Sequence, residues 1–181
     1  MLTEKTFLLC GAFFLASFVH AQKMEKPRKD KETGLTYFCS KFSLFTKFEG
    51  RKIENLRFRI CRTDTGRLFM HFYAEHGGSE YIFVKGDTVQ INFTSDAPLK
   101  IPAAVVGKHG RGTNSFGYIF RFFNVEYDID DVIKKKLLEN EVESVKFLGT
   151  KINSDVGIMF GADKKEKDII QKTLALFEEK Q

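Results

Sequence analysis

Tryptophan is absent from this chain, and cysteine occurs only 3 times. With 20 phenylalanines present, the core is expected to be built on Phe. No apolar run approaches the length of about 20 residues that a membrane-spanning helix needs. The longest, FLLCGAFFLASFV at 7–19, stops after 13 residues. It is followed by Val19-His20-Ala21, with small residues at the two positions a signal peptidase reads. This is the pattern of a secretory signal peptide spanning 1–21, with cleavage before Gln22. Cys10 sits inside the apolar run without a small residue just before it, so a lipoprotein anchor is not expected. The mature chain is expected to be exported, to the periplasm or the extracellular space.

Much familiar chemistry is missing as well. There is no Gly-x-Ser-x-Gly, no Ser/His/Asp arrangement, no pair of catalytic carboxylates and no cofactor motif, so no catalytic residue is assigned. No internal repeat is found. His71, Glu75 and His76 match neither H-E-x-x-H nor H-x-x-E-H. On a strand His71, Tyr73 and Glu75 share a face while His76 points elsewhere. With no third ligand, a metal site is not expected, and His71 reads as part of a solvent-facing strand end. Asp128, Asp130 and Asp131 lack the spacing and glycine of a calcium loop. Asn92-Phe93-Thr94 is a glycosylation sequon, but it lies inside an expected strand.

Residues 22–181 fit one domain. A chain of that size buries roughly 70% of the surface its unfolded form exposes, so it needs neither disulfide nor metal to fold. The net charge is +5. Much of it lies between Lys23 and Lys31, in the run KMEKPRKDK, read as a flexible basic leader over 22–35. Peripheral contact of Lys23–Lys31 with an anionic membrane surface is the alternative to a solvated tail. Export argues against a nucleic-acid partner.

From Tyr37 onward, strands alternate with turns. Phe38, Phe42, Leu44 and Phe48 share one parity, and Leu56, Phe58 and Ile60 alternate with Arg57, Arg59 and Cys61. Turns are expected at 49–51 and 64–66, then strands at 67–74, 80–84 and 88–94. Such short connections favour an antiparallel meander, since parallel crossovers need a dozen residues or more. Pro98 and Pro102 break the pattern before the glycine-rich loop 107–117. A strand at 118–127 leads to Asp128, expected as the N-cap of a helix reaching Glu139. Strands at 142–148 and 156–160 precede a last helix, with Asp163 and Glu166 at capping-box spacing and a stripe of Ile169, Ile170, Leu174 and Phe177. The expected class for 36–181 is a single α+β domain, a mostly antiparallel meander sheet with two C-terminal-half helices packed on or beside it.

Two groups carry candidate chemistry. A hairpin turning at Gly50 sets Leu44 opposite Leu56, Phe42 opposite Phe58 and Cys39 opposite Cys61, with both cysteines on the face away from the large apolar residues. Export permits a disulfide there, worth about 3 kcal/mol by loop entropy. Directly opposed pairs are awkward for disulfide geometry, and a one-residue bulge would part the sulfurs, so a bridge and two inert thiols both stay open. The second group is the loop GKHGRGTNSFG, where Lys108, His109 and Arg111 sit among glycines whose N–H groups could converge on an anion. Thr113, Asn114 and Ser115 add hydrogen-bonding side chains. No G-K-[ST] follows, so it is no P-loop.

Tyr127-Asp128-Ile129-Asp130, Val145-Lys146-Phe147 and Ile169-Ile170-Gln171-Lys172 together resemble a strand–helix–strand-pair–helix pattern of small secreted proteins of unknown function from host-associated Gram-negative bacteria. The resemblance covers about a third of the chain and implies export, without carrying over any site residue. Two classes of function follow. The favoured one is a non-enzymatic binding module recognising a protein, glycan or small anion through the 107–117 loop and a sheet face made basic by Arg57, Arg59, Lys41 and Lys47. The rival is a secreted hydrolase with His71, His76 or His109 in a site assembled only in three dimensions.

Overall fold

The computed structural model describes residues 23–45, 47–48, 53–76, 84–113, 119–148, 158–162, 164 and 166–178. The expected signal peptide, the turn at 49–51, residues 80–83, Asn114 and Asp163 lie outside them. In chain order the strands are β1 (Arg28–Lys29), β2 (Thr36–Cys39), β3 (Ser43–Phe45), β4 (Lys47–Phe48), β5 (Ile53–Thr63), β6 (Leu68–His76) and β7 (Thr88–Phe93). There follow β8 (Leu99–Pro102), β9 (Val105–Val106), β10 (Gly110–Thr113), β11 (Ile119–Asp128), helix α1 (Asp131–Glu139), β12 (Val142–Leu148), β13 (Ile158–Gly161) and helix α2 (Ile169–Ala175).

Every pairing among them is antiparallel. One sheet runs β1-β2-β5-β6-β11-β10 and the other β4-β13-β12-β7-β8. Both edges of the second sheet are joined to the first. Strand β3 pairs with β5, and its continuation β4 pairs with β13. Strand β8 pairs with β7, and its continuation β9 pairs with β11. The two sheets are thus linked at both edges by the chain passing from one to the other, and they curl around a shared core as a half-barrel. The α+β class holds, although the helices are short and late and the expected single meander is two joined sheets.

Alternation explains which side faces in. Leu56, Phe58 and Ile60 of β5, Met70 and Phe72 of β6, and Phe123, Val125 and Tyr127 of β11 are buried, as are Val89, Ile91 and Phe93 of β7. Phe147 stands at the centre of the interior, with ring centroids 5.2 Å from Phe72, 5.2 Å from Phe123 and 5.7 Å from Phe160. The helices lie against one another and send Leu137, Ile170 and Leu174 into the same core. Aromatic side chains thus fill the half-barrel, and a binding site has to be sought on its outside.

Four sequence expectations are corrected. The 22–35 leader is not free over its described part. Lys41 N–H donates to the Lys23 carbonyl at 2.7 Å, Glu25 N–H donates to the Cys39 carbonyl at 2.8 Å, and β1 pairs with β2. The turn between them is set by Asp30, which accepts from the N–H groups of Glu32 and Thr33, and by Gly34 at φ 72°. The register of the first hairpin also differs: Ser43 lies opposite Phe58, Leu44 opposite Arg57 and Phe45 opposite Leu56. Asp128 ends β11 instead of capping α1; Asp130 is the cap, accepting from Ile133 N–H at 2.7 Å. Finally, the proline-broken stretch holds β8 and β9. Pro102 is tolerated because β8 is an outer strand of its sheet and pairs there only with β7.

The slip of register has a visible cause. Ser40 is fully buried, its N–H donates to the Ile60 carbonyl at 2.9 Å, and its hydroxyl accepts the Ile60 N–H at 3.1 Å. One residue thereby serves both groups of Ile60, and the ladder resumes one position out of step. Cys39 stays opposite Cys61 and the two form a disulfide, while Phe42 and Leu44 turn outward, 41% and 39% exposed. No helix among the described residues is long and apolar enough to cross a membrane.

Two stability measurements follow. Phe147→Ala is expected to cost about 3–5 kcal/mol, as for other buried aromatics, read from the urea unfolding midpoint. Replacing Cys39 and Cys61 together by Ala opens a bridge across 22 residues of sequence. The expected loss is about 3 kcal/mol in the same assay, and an unchanged midpoint would contradict it.

Candidate functional site

The outward-facing residues of β5, β6 and β11 form rows across the strands. Register places Cys61, Phe69 and Asp128 in one row, Arg59, His71 and Glu126 in the next, and Arg57, Tyr73 and Asn124 in a third. The N-terminal segment lies along β2 at the edge of this sheet and reaches the second row through the Glu25–Arg59 ion pair. Between segment and sheet lies a cavity of about 300 Å³. Its floor is the Cys39–Cys61 disulfide, Phe69 and His71; Tyr37, Arg59 and Glu126 form its walls, and Glu25, Lys26, Arg28 and Asp30 come from the segment. Tyr37 meets Phe69 edge to face at 6.2 Å, giving the cavity one apolar side.

Arg59 organises the polar side. Its Nη1 is 3.0 Å from Glu25 Oε2, its Nε donates to His71 Nδ1 at 3.2 Å, and its guanidinium lies over the Phe42 ring at 4.6 Å. An arginine nitrogen only donates, so His71 Nδ1 must be the acceptor and Nε2 must carry the proton. Nε2 then donates to Asn124 Oδ1 at 3.3 Å, and Asn124 Nδ2 donates to the Lys108 carbonyl at 3.0 Å. A continuous polar chain thus runs from Glu25 through Arg59, His71 and Asn124 to the start of the glycine-rich loop.

Burial holds the Arg59 guanidinium below its usual value, against the pull of Glu25. His71 is lowered to about 4, first by burial and then by the Arg59 charge, with the Asn124 hydrogen bond opposing. It is therefore a neutral, partly buried side chain and not the solvent-facing residue the sequence suggests. The other charges of the face are largely spoken for. Arg67 reaches Glu126 at 2.9 Å and Asp128 at 2.7 Å. Burial alone would lower Arg67, but those two carboxylates outweigh it and raise it. The hydrogen bonds from Thr33 and Glu32 N–H hold the Asp30 carboxyl below the usual range. Among the described residues, Lys26 and Arg28 form no ion pair.

The loop residues singled out by sequence lie elsewhere. Lys108, His109, Arg111 and Thr113 are exposed, and none lines the cavity. The stretch from Gly110 to Thr113 is strand β10, so its N–H groups alternate between the two edges instead of converging. Gly110 is needed for packing: a Cβ there would meet the Phe122 ring at 3.1 Å. Only the Lys108 backbone joins the polar chain. His76 lies opposite Ile53 and Arg121 at the far end of β6 and is not brought to His71. No group of three or more metal-ligating side chains occurs among the described residues. Sequence reasoning missed Glu25, Lys26 and Arg28, because composition marks their segment as disordered. The Arg59–His71 pair was within reach, since the turn at 64–66 sets those residues opposite one another.

His71 makes stability depend on pH in a definite direction. In the unfolded chain it takes up a proton near 6.5, in the folded chain only near 4. Its contribution is complete above pH 6.5 and is lost as the pH falls through that window, because the unfolded state binds the proton first. The loss reaches up to roughly 3 kcal/mol. Urea midpoints measured across the window should slope in the wild type and flatten in His71→Gln.

No protein-family model, curated protein or solved structure matches this chain, so the geometry of the cavity carries the functional reading.

Proposed function

We propose that this chain is a non-enzymatic binding module of the periplasm or cell surface, and that it takes a small anion in the outer-face cavity. The observation behind this reading is the charge pattern of that cavity. Its lining sets Lys26, Arg28 and Arg59 beside the carboxylates of Glu25, Asp30 and Glu126; Glu25 is paired with Arg59 and Glu126 with Arg67, whereas Lys26 and Arg28 form no ion pair among the described residues. A half-enclosed site with two cations outside any ion pair and one apolar side is suited to an anion with an apolar body. The disulfide fits an oxidising compartment, which agrees with the signal peptide expected at 1–21.

The rival reading, a hydrolase, gains little from His71. Both ring nitrogens are engaged, and a group titrating near 4 is a weak base at neutral pH. Binding is favoured for that reason.

The test is a titration of isotope-labelled mature chain, starting at Gln22, with acetate, benzoate, sulfate and inorganic phosphate. At least one should shift the Arg28, Arg59 and His71 resonances together. The double variant Lys26→Gln/Arg28→Gln alters exposed side chains and should keep its fold, yet weaken binding by about tenfold or more. Equal affinity in the variant, or no shift with any anion, would refute the proposal.

A further inference from the structure

The cavity already contains one bound carboxylate, and it belongs to the protein. We infer that Glu25 is a built-in stand-in for the ligand: the site takes a carboxylate attached to an apolar ring, which displaces Glu25 from Arg59. This inference rests on the binding reading above and specifies its ligand.

Three observations carry it. The first is how Arg59 is used. Its hydrogen bond with Glu25 runs through Nη1, and Nε is taken by His71, so the Nη1/Nη2 edge is the one left for a two-bond contact. A free carboxylate can approach a guanidinium with two parallel hydrogen bonds, a stronger arrangement than this single one. Arg59 is also partly buried, with 23% of its side chain exposed against 39% for Glu25. A cation in that setting needs a counter-charge, so only another anion can release Glu25 cheaply.

The second observation is the attachment of the segment. Ahead of β1 it is held to the sheet by two main-chain hydrogen bonds, Lys41 N–H to the Lys23 carbonyl and Glu25 N–H to the Cys39 carbonyl, which together make the bridge between Met24 and Ser40. A strap with so few bonds, which adds no buried residue to the core and only the partly buried Met24 against it, can open at little cost to the rest of the fold.

The third is the apolar side of the cavity. Tyr37, Phe69 and the disulfide offer an apolar surface in the same cavity, with Cys61 and Phe69 in the row next to that of Arg59. A volume of about 300 Å³ is at the small end of ligand pockets. An aromatic or similarly flat apolar group with a carboxylate at one end places each part against its complement. Such a group occurs in free aryl-substituted acids and at the C-terminus of a peptide ending in Phe or Tyr.

The experiment uses N-acetyl-L-phenylalanine, its C-terminal amide, and a tetrapeptide ending in phenylalanine, each titrated by calorimetry into the mature wild type and into Glu25→Gln. The acid should bind, the amide should not, and Glu25→Gln should bind the acid about fivefold more tightly, because the internal competitor is gone. In the wild type the acid should also speed hydrogen exchange at the amides of Glu25 and Lys41. A tetrapeptide that binds more tightly than the acetylated residue identifies a chain end as the source; weaker binding identifies a free acid. Equal binding of acid and amide overturns the inference, and so does an unchanged affinity in Glu25→Gln. If the acid binds neither protein while acetate or phosphate still engages Lys26 and Arg28, the stand-in role falls and the anion-binding module survives. If no anion binds at all, both fall.

Discussion

The hydroxyl of Ser40, accepting the N–H of Ile60 from the opposite strand, is a small interaction on which the whole outer face depends. A hydroxyl placed there does the work of a backbone carbonyl, and the strand gains a residue relative to its partner. On one side of that step the two cysteines remain directly opposed and bridged. On the other, Phe42 is carried outward, where its ring covers the Arg59 guanidinium and lies 5.9 Å from that of His71. Without the step Phe42 would face inward opposite Phe58, and Arg59 would lose its cover. The same residue forms the bridge to Met24, so the N-terminal segment is docked at the point where the register changes.

The outer face separates into two electrostatic units. Around Arg67, two carboxylates and the Phe69 ring at 4.4 Å make a compact cluster in which the single cation is fully engaged. Around Arg59 the polar groups are strung out: a carboxylate, a guanidinium, a neutral imidazole and an amide, ending on a main-chain carbonyl. The first unit suits a structural role, tying the start of β6 to the end of β11. Beside the second lie Lys26 and Arg28, which form no ion pair among the described residues.

How much of this could be read from the residues depends on the kind of signal each part sends. The alternation in β5, β7 and β11 was legible because one side of each strand is buried and the other is not. The disulfide was legible as an alternative, since a turn near Gly50 sets its two cysteines opposite one another. Register next to it was not, because nothing in the letter sequence distinguishes a serine that pairs through its hydroxyl from one that merely lies in a strand. The leader was misread for a related reason: main-chain pairing to an open edge is blind to side-chain polarity. The Asp128 and Asp130 ambiguity turned on Arg67, a partner 61 residues away in sequence. Helix α1 itself, from its acidic start to its buried Leu137, was read correctly in outline.

Strands that pass from one sheet to the other also have a kinetic consequence. The β5–β6 hairpin forms from residues close in sequence, and its ladder needs only a short loop to close. Joining the two sheets is another matter, for it pairs Phe48 with Phe160, far apart in sequence. Contacts of such range are entropically expensive to reach and slow folding. Without that pairing the facing edges of β4 and β13 are uncovered, and open strand edges of this kind invite mispairing with another copy.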